Sequence, residues 1–372
     1  MAMTNPQRLF SLFSTLASID SPSYSESGVS AAVKAQLDDM GLPYTEDGAG
    51  AVIGGECGNL LCRVPGDESL PPLLFAVHMD TVEPCRGKKI ITHGDGRITS
   101  DGTTILGADD CAGIAAILEA VRTLLDSGER HRPLELMFSV AEEPYCVGAK
   151  VFDYSLLRSR EAYVFDLMGP VGKAANSAPT IISFRAEFTG KAAHAGFAPE
   201  GGIHAINAAA RAINAMPSGR VGDATINVGT VSGGTARNII PDKCEFTGEI
   251  RSLSDASAQA LLSRAHEITK AAAQEFGAEL NFVSADCVTA YATPTEHSVC
   301  RRFESACAAL GLNADIAPTL GGSDNNCLAQ HGIAGIVVAN AMNDCHSCAE
   351  STEQAELVRA AELALQLMLS KE

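Results

Sequence analysis

His78-Met-Asp80, Asp109-Asp110, Glu142-Glu143, Asp166 and His346 place nitrogen and oxygen donors at five separate positions of a 372-residue chain. Two imidazoles and a surplus of carboxylates suffice to ligate two divalent ions and to leave acids over for proton transfer. Ions roughly 3.5–4 Å apart need one shared ligand. Asp109 is the candidate bridge, because a carboxylate has two oxygens and Gly107 and Gly113 leave room on either side. One His and one acid then remain for each ion. Asp80 falls two residues after His78, on the same side of an extended segment, where it can hold the second imidazole nitrogen. Of Glu142 and Glu143, one suits ligation and the other suits a general base. Imidazole with carboxylate favours zinc, with cobalt or manganese as less selective substitutes.

Taken singly, these signals are commonplace. A Glu-Glu pair is usually a solvated helix face, and Asp-Asp before a helix is usually an N-cap. Their joint order, each at the end of an expected strand, carries the argument. Leu73-Leu-Phe-Ala-Val77, residues 134–140 and residues 162–165 are apolar runs without alternation, as expected for strands buried on both faces of a parallel sheet. His78, the Glu142 pair and Asp166 follow them directly. In open α/β sheets such strand ends border the ligand crevice. Asp109 opens an expected helix carrying Ile114, Ile117, Leu118, Val121 and Leu125 on one apolar face, closed by Gly128.

From about residue 177 the pattern changes. Strands at 181–189, 224–231, 237–251 and 278–284 alternate with helices at 202–216 and 255–276, the βαββαβ order of a ferredoxin-like unit. The first pattern resumes near residue 291, with a buried strand at 335–339 and a C-terminal helix. The expectation is a discontinuous α/β domain, 1–176 and 291–372, with helices on both faces of a mostly parallel sheet. A second domain, 177–290, is inserted into it.

Composition narrows the partners. A formal net charge of −18 repels phosphate backbones and anionic headgroups, which argues against nucleic acid and membranes. No run approaches the ~18 apolar residues of a membrane span. Residues 1–16 lack the apolar stretch of a signal peptide, and twelve cysteines show no repeated spacing, so reduced thiols in the cytoplasm are expected. Other catalytic signatures fail: His266-Glu267 lacks the second His, since position 270 is Lys, and there is no nucleophile elbow or Walker loop.

The chain resembles the M20 family of zinc metallopeptidases, and within it the peptidase T-like branch. The segments that carry the resemblance are Val77-His-Met-Asp-Thr81, Leu106-Gly-Ala-Asp-Asp-Cys-Ala-Gly113, Ala141-Glu-Glu143, Val147-Gly-Ala-Lys150, Phe165-Asp166 and the His346 loop. Ala193-His-Ala-Gly196, residues 233–242, Glu249-Ile-Arg251 and Thr319-Leu-Gly-Gly-Ser-Asp324 complete it, so nearly the whole chain is covered. The resemblance implies His78, Asp109 and Asp166 on one zinc ion, and Asp109, Glu143 and His346 on the other. It implies Glu142 as general base and Asp80 as support for His78. It also implies that the inserted domain is a lid that forms a homodimer, with His194 polarising the scissile carbonyl in a partner's site and Asn238 and Arg251 contacting substrate. The implied activity is removal of the N-terminal residue from tripeptides. An N-acyl-amino-acid or carboxypeptidase-type amidohydrolase is the alternative, and a non-catalytic metal-binding protein a third, against which Glu142 speaks. The sequence departs from the pattern at Cys111, where a basic residue is common. Cys345 and Cys348 also flank the last His and form a Cys-x-x-Cys spacing outside any thioredoxin-like context.

Overall fold

Every residue of Leu73–His78 and Leu134–Ser139 is buried, because these two strands lie inside a sheet covered on both faces. They belong to the computed structural model of the chain, which describes residues 3–371 and divides into two compact units. The first unit comprises the chain through Ser177, Ala292–Thr319 and the residues from Ser323 onward; the second comprises Ala178–Tyr291 and Leu320–Gly322.

The first unit is built on a nine-stranded sheet. Its centre runs Leu134–Ser139, Leu73–His78, Glu161–Leu167, Ala334–Ala339, and these four neighbours are mutually parallel. Leu60–Val64 adds antiparallel on one side and Lys173–Ala178 on the other. The fold is therefore α/β with a mostly parallel core sheet. The Ala108–Ser127 helix departs from the one-faced pattern expected of it, being buried almost all round. It packs on Leu73–His78 and Glu161–Leu167 and is covered by the helices Pro6–Ala17 and Gln354–Leu369. Tertiary cover of that kind explains Ala and Gly at positions a surface helix would give to polar residues. Gly128 closes it in the left-handed region (φ 64°).

The second unit has five antiparallel strands, with Ala224–Gly233, Lys243–Ser252, Thr180–Thr189 and Glu279–Val288 adjacent in that order. The helices Ala205–Ala215 and Asp255–Phe276 pack on them, giving the ferredoxin-like βαββαβ arrangement. Phe184, Phe188, Phe246, Ala208 and Ala265 lie in its separate core. The single strand expected at 237–251 is broken in two. Ile239–Ile240 pairs with Ala193–His194, and a new strand starts at Lys243, because Pro241 has no N–H to continue a ladder.

Candidate metal centre

Parallel neighbours end on the same edge of a sheet, and this alone gathers distant residues. His78 is the last residue of Leu73–His78, and Asp166 lies near the end of Glu161–Leu167, its parallel neighbour. Glu142 and Glu143 follow Leu134–Ser139, the neighbour on the other side. His346 sits in the loop after Ala334–Ala339, the fourth strand of the run, with Asp344 and His346 both at positive φ. Asp109 and Asp110 precede the regular part of the Ala108–Ser127 helix and have non-helical backbone angles, which frees their side chains from the helix surface.

The geometry centres on Asp109. Its Oδ1 is 3.0 Å from His78 Nε2, and its Oδ2 is 3.3 Å from His346 Nε2. His78 Nε2 also faces Asp166 Oδ1 at 3.8 Å, and His346 Nε2 faces Glu143 Oε2 at 3.0 Å. His78, Asp109 and Asp166 form one group of potential ligand atoms within 4.8 Å of one another; Asp109, Glu143 and His346 form a second. Each group offers one imidazole nitrogen and two carboxylates, and Asp109 serves both. Glu143 Oε1 is buried with no hydrogen-bond partner, a state a carboxylate oxygen tolerates poorly unless a cation satisfies it. The donor set therefore fits two divalent ions of borderline softness.

Burial dominates the electrostatics. It pushes the carboxyls of Glu142 and Asp110 well above the usual range and that of Asp166 up to about 7, with the neighbouring acids adding to it. Glu143 is raised by the same cause. Asp109 is the exception: burial opposes its ionisation, but hydrogen bonds with His346 and His78 hold it low. His346, between Asp109 and Glu143, is raised to about 10.

Asp80 does more than steady His78. His78 Nδ1 is 3.0 Å from the Asp80 backbone carbonyl and 3.4 Å from its carboxylate, so the main chain is the nearer partner. The carboxylate accepts the backbone N–H groups of Glu142 (2.9 Å) and Glu143 (3.1 Å) and the hydroxyl of Ser23 (2.7 Å). Gly113 makes room for Asp110, not Asp109: a Cβ there would stand 2.2 Å from Asp110 Oδ1 and 2.6 Å from the Phe165 carbonyl. Asp110 in turn accepts from the amides of His78 and Gly113 and from Asn340 Nδ2. Two supports were not foreseen, Asn340 and Glu350. Glu350, buried, accepts the backbone N–H groups of Leu106, Gly107 and Asp109 at 2.8, 2.8 and 2.9 Å. Its place four residues after His346 was the one available hint.

His194, Asn238 and Arg251 all lie in the second unit. His194 pairs with Ile239, next to Asn238, and Asn238 accepts the amide of Ala195. His194 Nδ1 accepts the amides of Gly196 (3.1 Å) and Phe197 (3.2 Å), which leaves the proton of the neutral ring on Nε2. Arg251 lies on another strand, where its guanidinium grips Glu249 through two nitrogens and donates to the Leu320 carbonyl. Cys111 is buried, and that burial raises its thiol to about 11. Cys345 and Cys348 are free thiols, and neither joins a group of candidate ligands among the described residues. No described helix is long and apolar enough to cross a membrane.

Comparison with known proteins places the chain in a family. A family model described as a peptidase dimerisation domain matches residues 176–276, and one for peptidase family M28 matches residues 59–207. The chain is 34% identical to the uncharacterized protein YqjE of Bacillus subtilis (strain 168), over 98% of this chain and 99% of that one. The crystal structure of the aminopeptidase PepT from Bacillus cereus superposes with a TM-score of 0.90 at 35% identity, over 98% of both chains. A tripeptidase from Staphylococcus aureus gives a TM-score of 0.94 at 31% identity, again over 98% of both. With relatives of this similarity along its whole length, the chain belongs to the M20 family, in its peptidase T-like branch, and is a metallopeptidase.

Proposed function

We propose that the protein is a dinuclear zinc exopeptidase that releases the N-terminal residue of small peptides, tripeptides above all, with cobalt or manganese able to replace zinc. The observation that carries this reading is Asp109 standing between His78 and His346, with Glu142 held next to the group. His78, Asp109 and Asp166 would hold one ion; Asp109, Glu143 and His346 would hold the other. Bound there, the ions supply Lewis acidity toward the substrate carbonyl and the attacking water.

Glu142 is the proton carrier in this reading. Burial raises its carboxyl well above the usual range, which makes the carboxylate a stronger base toward water and its acid form a ready donor to the leaving amine. Asp80 positions it by gripping its amide. His194, with its proton on Nε2, is suited to donate to a carbonyl oxygen, and Asn238 beside it to bind the substrate backbone. Arg251 suits a substrate carboxylate, provided that carboxylate shares or displaces Glu249. The inserted unit, residues 177–290, would act as lid and dimer interface, and the homodimer would work in the cytoplasm. The names of the PepT aminopeptidase and the tripeptidase support the peptide substrate over an N-acyl amino acid.

Product analysis by mass spectrometry tests the reading. Zinc-loaded protein, with Glu142→Ala as control, is given tripeptides, N-blocked tripeptides and N-acyl amino acids together. Release of the first residue from unblocked tripeptides alone is expected. Cleavage of the blocked or acylated compounds instead would assign the protein to the amidohydrolases.

A further inference from the structure

A third group of donors includes Glu142, and the hydrolytic reading leaves most of it unused. Glu142, Cys146 and Asp324 each present a ligand atom within 4.8 Å of the others. Cys146 and Asp324 are 1% and 2% exposed. The turn after Glu143 brings the thiol back: Tyr145 and Cys146 both take positive φ (71° and 57°), and Cys146 Sγ comes 3.3 Å from Glu142 Oε1. Asp324 starts the Asp324–Gln330 helix, and one of its oxygens accepts the Ser139 hydroxyl. Its other oxygen, Oδ1, is buried with no hydrogen-bond partner.

Proton counting shows why this group is unfinished. A thiol has one proton, and Cys146 faces the carboxylates of both Glu142 and Asp324 and the thiol of Cys327, so that proton cannot serve every neighbour. In a dry interior an orphaned carboxylate oxygen is costly. A divalent cation would satisfy the sulfur and both carboxylates together, and sulfur selects soft or borderline ions.

The geometry points to a third divalent-cation site formed by Glu142, Cys146 and Asp324, which takes zinc or another thiophilic ion and stops hydrolysis by occupying the Glu142 carboxylate. The ion displaces the thiol proton to solvent as it binds. The site has no imidazole and must expel that proton, so it fills after the two positions that share Asp109, when metal is in excess. The inhibitory half rests on Glu142 being the general base; the site itself does not.

The test uses full-length protein carrying Cys348→Ser, which removes the exposed thiol. Cadmium is titrated while bound metal is counted by mass spectrometry and the sulfur-to-cadmium charge-transfer band is followed. A third equivalent that brings the band is expected. Adding Cys146→Ser should abolish both, and adding Asp324→Asn should weaken the third equivalent tenfold or more. Peptide hydrolysis in excess zinc should fall with the same midpoint as the third equivalent binds. Binding that stops at two equivalents, or a third that survives Cys146→Ser, overturns the site. A third ion bound through Cys146 with hydrolysis undiminished overturns the inhibition and, with it, the base role of Glu142.

Discussion

The carboxylate of Asp80 accepts the backbone N–H of Glu142 at 2.9 Å, so the residue that steadies His78 also fixes the acid beside the metal groups. One buried side chain thereby couples a candidate ligand to the proposed proton carrier. Asp80→Ala removes the carboxylate 3.4 Å from His78 Nδ1 but keeps the backbone carbonyl at 3.0 Å, so metal binding is expected to weaken by about 10-fold, the lower end for loss of a partner of a ligating imidazole. It should also lower kcat beyond what metal restoration recovers, because the Glu142 loop loses its anchor. Chelator competition and steady-state kinetics at saturating metal measure the two effects. A variant with parent-like kcat once metal is saturating would show that Asp80 acts through His78 alone.

Glu350 anchors the other side of the centre. Glu350→Ala would leave three buried N–H groups without an acceptor, at about 1–3 kcal/mol each. A loss of about 3 kcal/mol or more is expected in urea unfolding, with a weakened hold on metal because Asp109 is among the three. An unchanged midpoint would mean that water enters and replaces the carboxylate.

Stability should depend on pH through Glu26. Burial, and then the Asp80 charge, raise its carboxyl to about 7 from an ordinary 4.5. Oε1 accepts the amides of Tyr24 and Ala141, while Oε2 has no partner. Between those two values the folded chain binds the proton more tightly than the unfolded one. Its contribution is therefore full below pH 4.5 and is lost as pH rises through 7. Relative to Glu26→Gln, the parent should lose ~2 kcal/mol across that window. Denaturant titrations at pH 5 and pH 8 check it, and parallel pH profiles for both proteins would refute it.

Gly113 tolerates no side chain. A Cβ would meet Asp110 Oδ1 at 2.2 Å and the Phe165 carbonyl at 2.6 Å, the latter backbone of a central strand. Gly113→Ala should destabilise the fold by about 3 kcal/mol or more, since neither neighbour can retreat. A soluble variant with parent-like Tm would disprove the close approach.

The sequence by itself determined the donor types, their order and the strands that deliver them. His78, the Glu142 pair and Asp166 were legible because apolar runs without alternation announce parallel strands, and parallel strands end together. The βαββαβ insertion was legible from its change of period. What only the tertiary structure decided is how buried polar groups share their partners. Asn340 shows no local signal and Glu350 only its nearness to His346, because each reaches loops more than 200 residues away. The Ala108–Ser127 helix looked one-faced because periodicity cannot report that other helices cover its second side. Gly113 was assigned to the wrong aspartate for the same reason: a close approach is a property of packed neighbours, and sequence spacing does not encode distance.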